Sequence, residues 1–118
     1  MKKEEARAKG LFGKCPYATA QQLLKGKWAI MIMHELEGGT KRFKQIQRDI
    51  DITQATLTNQ LRYMEEEGLI SRKVYPEVPT RVEYSLTDIG REFIPVLQAI
   101  QVWGNKYIHY LKEQQVHV

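Results

Sequence analysis

Residues Thr53 to Thr87 read TQATLTNQLRYMEEEGLISRKVYPEVPTRVEYSLT. Thr53 has a hydroxyl suited to capping a helix N-terminus, and Leu57, Leu61 and Met64 follow at i, i+4 and i+7, the spacing of a single helix face. Three glutamates and Gly68 end that helix. Beyond it Leu69 to Tyr75 and Arg81 to Leu86 read as segments whose residues alternate inward and outward, which predicts two short antiparallel strands. The connection Pro76-Glu77-Val78-Pro79-Thr80 keeps both prolines out of ladder positions, where their missing N–H would break a pair.

Working upstream, Phe43, Ile46, Gln47 and Ile50 define a short helical face, and Asp51-Ile52-Thr53 is a tight turn into the capped helix. Thr40 to Phe43 reads as a short strand or turn after the Gly38-Gly39 stop. Before that stop, Trp28, Ile30, Met31, Ile32, Met33 and Leu36 are apolar nearly all round, which predicts a helix from about Lys27 at the buried centre of the fold. Pro16 suits a first helical position, and Tyr17, Ala20, Leu23 and Leu24 recur at helical spacing up to Gly26. Residues 1–14 are polar, with glycines at 10 and 13, and are expected to form a mobile arm on a single domain spanning 15–118. Downstream, Thr87-Asp88 opens a long C-terminal helix in which Pro95 predicts a kink or break near Arg91 to Ile94. Helix, tight turn, helix and hairpin in that order describe a winged helix-turn-helix: a mainly α fold with a small antiparallel β wing of two to three strands.

Composition agrees with one globular domain: 118 residues, 42% hydrophobic and 27% charged. No apolar run reaches the roughly 18 residues of a membrane span, and MKKEEARAKG has charge without an apolar stretch behind it, so the expected location is the cytoplasm. A single cysteine rules out an internal disulfide. The net charge of +4 favours nucleic acid only weakly, because Met1 to Trp28 carries seven basic and two acidic residues while Lys41 to Arg81 carries eight and six. The pattern, not the charge, carries the argument.

With Leu57, Leu61 and Met64 inward, the opposite side of the Thr53-capped helix presents Ala55, Asn59 and Arg62, flanked by Thr56, Thr58 and Tyr63. Asparagine pairs with the edge of adenine, arginine with guanine, and an alanine or threonine methyl touches the thymine methyl. Thr53, Gln54 and the first-turn N–H groups are placed to hold a phosphate. Lys73, Thr80 and Arg81 on or beside the wing are candidate contacts to the backbone or the adjacent minor groove, and Lys41, Arg42 and Lys44 are placed to brace phosphates from the other side. The glutamates at the helix C-terminus fit only if that end points away from the duplex. The competing interpretation of the same face is the wet side of an amphipathic helix.

Cys15-Pro16, Gly26-Lys27-Trp28, Leu61 to Ile70, Tyr75 to Pro79, Arg81 to Tyr84, Leu86-Thr87, Gly90 and Trp103-Gly104 together resemble the HxlR family of bacterial winged helix-turn-helix regulators. The resemblance covers about Cys15 to Tyr107, and its helix-turn-helix part alone also suits the MarR family, whose members respond to ligands. It implies a homodimeric transcription factor that binds operator DNA without metal or organic cofactor. It also implies an interface from the N-terminal and C-terminal helices, which places Tyr17, Phe93, Leu97, Ile100, Trp103, Tyr107 and Tyr110 there. Independently, the C-terminal helix has apolar residues on more than one face: Leu97, Ile100, Trp103, Tyr107 and Leu111 can serve its own core, which leaves Ile94, Ile108 and Tyr110 for a two-fold partner.

Cys15 precedes a helix N-terminus with Lys14 beside it, a setting that promotes thiol reactivity. The resemblance makes it a candidate sensor of oxidants or electrophiles, by adduct or by a disulfide between subunits; the plainer alternative is a small packed residue. His34, His109 and His117 have no metal-ligand spacing. An enzyme with Cys15 as nucleophile and His34 as base lacks any accompanying acid-base set, so no catalysis is expected. A winged helix used only for protein contact is the remaining alternative, and it would call for an apolar side at Ala55, Asn59 and Arg62.

Overall fold

The computed structural model describes residues 10–116. Helix α1 (Pro16–Leu23) and α2 (Ala29–Glu35) lead into strand β1 (Lys41–Arg42), then α3 (Phe43–Ile50) and α4 (Gln54–Glu66). Strands β2 (Ile70–Tyr75) and β3 (Arg81–Leu86) follow, then a short α5 (Asp88–Arg91) and a long α6 (Ile94–Val116). The three strands form one antiparallel sheet in the order β1-β3-β2, with Lys41 opposite Tyr84 and Tyr75 opposite Arg81. Most of the proposed arm lies outside the described residues; its last part is a turn in which the Lys14 and Cys15 N–H groups both donate to the Leu11 carbonyl.

The helix pair α3 and α4 forms as its residues dictate. Asp51 ends α3 in the left-handed region (φ 53°), which aspartate tolerates better than most side chains. The Thr53 hydroxyl accepts from the Thr56 N–H at 3.3 Å and donates to the Thr56 hydroxyl at 2.8 Å, capping α4. Leu57, Leu61 and Met64 are buried in one cluster with Ile32, Met33 and Leu36 of α2 and its end, Ile46 and Ile50 of α3, and Ile70 and Leu86 of the wing. At the far end, Gly68 adopts φ 77° while its N–H donates to Glu65 and the Leu69 N–H to Met64, so two terminal carbonyls are satisfied as the chain turns into β2.

Three expectations need correcting. Helix α2 is not buried all round: Ala29, Ile32 and Met33 face the core, but Ile30 and Met31 are exposed. The wing strands do not alternate cleanly; β2 is exposed through Ser71 to Val74 and β3 is half-buried along most of its length, because β1 and β2 flank it. The C-terminal helix shares its apolar residues differently as well. Phe93, Ile94 and Leu97 pack on the protomer's own core, whereas Trp103, Tyr107 and Leu111 are exposed, so only the start of α6 reaches the domain.

The break expected from Pro95 is present as the gap between α5 and α6. Pro95 has no N–H to offer the Arg91 carbonyl, and its ring excludes that carbonyl from a continuous helix. The junction before it is tightly built. Thr87 caps α5, accepting from the Gly90 N–H at 3.1 Å, and its own hydroxyl donates to the Gly68 carbonyl at 2.5 Å. Its backbone N–H donates to the Leu69 carbonyl at 3.1 Å, so α5 is pinned just beyond the end of α4. No helix among the described residues is long and apolar enough to cross a membrane.

Candidate nucleic-acid interface

The outward side of α4 has the expected composition. Gln54, Ala55, Thr56, Asn59 and Arg62 are exposed along with the capping Thr53, and Thr58 is half-buried at the edge. Tyr63 differs: its hydroxyl donates to the Gln22 carbonyl at 2.8 Å and Lys25 lies over its ring, so it ties α1 to α4 instead of joining the outward side.

Between α4 and the sheet runs an open cleft of about 660 Å³, lined among others by Gln54, Thr58, Arg62, Arg72 and Tyr84. Arg72 was missed from sequence. It stands on β2 opposite Tyr84 and its Nε lies 3.3 Å from Glu65 of α4. Nothing in the chain short of strand register marks it, since register decides which side of the wing faces the helix. Burial pushes the Tyr84 phenol up, with the Arg72 charge opposing.

The flanking cations fall into two groups. Lys73, Thr80, Arg42 and Lys44 are exposed, and the Arg42 backbone N–H, at the start of α3, donates to Gln45. Lys41 and Arg81 are engaged inside the protomer. The Lys41 ammonium sits 2.8 Å from Glu35 and 3.2 Å from Asp49, and the hydrogen bond to Glu35 raises its pKa while Asp49 is lowered. Arg81 bonds Glu77 at 3.0 Å and Glu83 at 3.2 Å and stacks on Tyr75 with its guanidinium carbon 3.8 Å from the ring centroid. Lys41 was expected to brace phosphates, and Arg81 to contact the backbone or the adjacent minor groove. Their carboxylate partners give them internal jobs: Lys41 fastens α2 to α3, and Arg81 closes the wing.

Cys15 is half-buried at the N-cap of α1, where its carbonyl accepts from the Thr19 hydroxyl and N–H. No residue of α1 is buried, and Tyr17 is 85% exposed. His34 pairs with Glu37 and His109 with Glu113, each at 3.0 Å on the surface. Among the described residues no three His, Cys, Asp or Glu side chains converge as metal ligands. Of the residues expected at a dimer interface, Tyr17, Trp103, Tyr107 and Tyr110 are exposed, and the last three pack in series, Trp103 stacked on Tyr107 and Tyr107 tilted against Tyr110, with ring centroids 5.5 and 5.4 Å apart. Phe93 and Leu97 belong to the protomer's own core, and Ile100 is half-buried at its margin.

The model of the HxlR-like helix-turn-helix family matches residues 23–112. The chain belongs to that family. This HxlR-like protein is 47% identical over 94 residues to an HTH-type transcriptional regulator of Methanothermobacter thermautotrophicus, covering 79% of this chain and 72% of the relative. Its fold matches that of the redox regulator HypR in its reduced form (TM-score 0.78, 36% identity, 84% of this chain and 99% of the other). The oxidised form of HypR matches with a TM-score of 0.73, at 39% identity over 78% of this chain and 96% of that one. The reduced form of the transcriptional regulator YodB from B. subtilis matches with a TM-score of 0.69, at 37% identity, over 79% of this chain and 94% of the other. The HxlR-like chain is therefore a helix-turn-helix transcriptional regulator with a winged fold, a class that works by binding DNA and is not one of enzymes.

Proposed function

We propose that the protein acts in the cytoplasm as a homodimer that binds a pseudo-palindromic operator, with one α4 helix in each of two successive major grooves and half-sites about 10 base pairs apart or a multiple of that. The observation that carries this reading is the two-sided character of α4: Leu57, Leu61 and Met64 are buried while Gln54, Ala55, Asn59 and Arg62 are exposed. A protein-docking helix would present an apolar outer side, and this one is polar and mostly uncharged. Thr53, Thr56 and Thr58 support the groove walls, and Arg42, Lys73 and Thr80 supply backbone contacts in place of Lys41 and Arg81. Sequence selection from random duplexes, followed by Arg62→Ala, tests the reading. The variant is expected to lose about 1–3 kcal/mol of discrimination between selected and random duplexes while remaining folded. Unchanged discrimination would assign the outward side of α4 to another role.

A second reading, favoured by the fold match to HypR in both redox forms, is that Cys15 responds to oxidants. As the sole cysteine, it can join a disulfide only with its counterpart in another chain: two thiols give up two protons and two electrons to an oxidant such as peroxide, which leaves as water. Peroxide treatment is expected to produce a species of doubled mass on a non-reducing gel that Cys15→Ser abolishes. A Cys15 thiol still fully titratable after that treatment would remove the sensor role.

A further inference from the structure

The tip of the wing is braced and electrically neutral. Arg81 is 28% exposed, packed on the Tyr75 ring and bonded to Glu77 and Glu83, and Tyr75 and Arg81 are the last paired residues of the hairpin, so this clamp sits at the neck of the turn. Lys73 lies over the same ring, 4.9 Å from its centroid. Pro76 and Pro79 restrict φ on either side of Val78. From Lys73 to Glu83 two basic and two acidic residues cancel, and the one arginine near the tip is committed to carboxylates. Beyond the backbone contacts assigned to Lys73 and Thr80, such a tip has little left with which to clamp phosphates. What it projects is the isopropyl group of Val78, 103% exposed.

A strand of six residues extends about 20 Å, enough to carry the tip from beside the reader helix past a phosphate backbone. Beyond the backbone lies the minor groove, roughly 6 Å wide, where proteins commonly seat apolar side chains. We propose that Val78 is a specificity-determining residue that lies over the floor of the minor groove flanking each half-site and disfavours guanine there; the inference rests on reading α4 as the DNA-binding helix. Guanine alone places an amino donor, N2, on that floor. A valine methyl over it takes away its water and offers no acceptor, which is costly for a buried donor. A·T pairs carry no such donor.

The test uses the full chain and its selected operator in versions that differ only in flanking pairs, substituted one at a time outward from each half-site as A·T, G·C or inosine·C. Inosine keeps the major-groove edge of guanine and lacks N2. At one flanking position the protein is expected to bind A·T and inosine·C alike and G·C roughly five-fold or more weakly, the scale of one disfavoured pair. Val78→Thr keeps the shape and adds a hydroxyl acceptor at a fully exposed site, and it is expected to narrow that gap between G·C and inosine·C. Equal affinity for G·C and inosine·C at every flanking position, or an unchanged gap in Val78→Thr, overturns the proposal. A protein that holds its operator but ignores the flanks counts against Val78 alone; one with no preferred duplex at all counts against the reading of α4 as well.

Discussion

Trp103→Asp is expected to yield a folded monomer that no longer holds operator DNA. From residue 101 to residue 115 every residue of α6 but Gly104 is exposed, and along one side Trp103, Tyr107, Tyr110 and Leu111 form an apolar stripe that none of the described residues covers. A helix of 23 residues is about 35 Å long, and one that touches its domain only near its first turns is marginal in water by itself. In the proposed homodimer a second copy packed by a two-fold axis would cover the stripe, and the same residue would then lie on both sides of the contact. Buried tryptophans at such contacts are each worth about 2 kcal/mol or more, so losing two of them, with two carboxylates put in their place, costs on the order of a thousand-fold in dimer affinity. Trp103 is 66% exposed in the protomer, so its replacement leaves the domain's own core intact. Sedimentation velocity gives the mass, circular dichroism the fold and a titration with operator the affinity. A Trp103→Asp protein that stays dimeric at micromolar concentration would place the interface elsewhere.

Gly90→Ala is expected to be the most damaging conservative change in the domain. A Cβ at residue 90 would lie 2.2 Å from the Leu69 carbonyl oxygen, well inside any contact distance, and the obstacle is backbone, which no rotamer change can move aside. That same carbonyl accepts the Thr87 N–H, and Thr87 caps the helix on which Gly90 sits, so displacing α5 breaks the hydrogen bonds that hold it. Forcing an extra carbon into such a site costs about 3 kcal/mol, or a fall of roughly 10 °C in Tm for a domain of this size. Gly38→Ala is the control: no atom lies within 4 Å of the added carbon, and its stability should stay within about 0.5 kcal/mol of the native protein. Thermal unfolding of the two variants side by side decides, and equal melting temperatures would mean that the junction is softer than its geometry.

What was legible in the sequence was whatever depends on neighbours a few residues away. The Thr53 cap, the Leu57, Leu61 and Met64 stripe, the Gly68 stop, the Thr87 cap and the break ahead of Pro95 are local events with local causes, and each stands where its residues put it. What was not legible depends on partners chosen in three dimensions. Arg81 and Lys41 look like any other surface cation until Glu77, Glu83, Glu35 and Asp49 come beside them. Helical spacing shows that α6 has two apolar sides but not which one the domain uses, so Trp103 and Phe93 could not be sorted. Gly90 meets a carbonyl 21 positions earlier, and Arg72 reaches the α4 helix only once the register of β2 on β3 is set.

The Leu69 carbonyl, shared between Thr87 and the close approach of Gly90, joins the end of α4, the proposed base-reading helix, to the root of α6, the proposed dimer stem, without a flexible link. The proposed homodimer would therefore work like a calliper with a locked hinge. The gap between its two jaws would be fixed by how the stems cross, and an operator lengthened by one base pair would present its second half-site both out of reach and turned away.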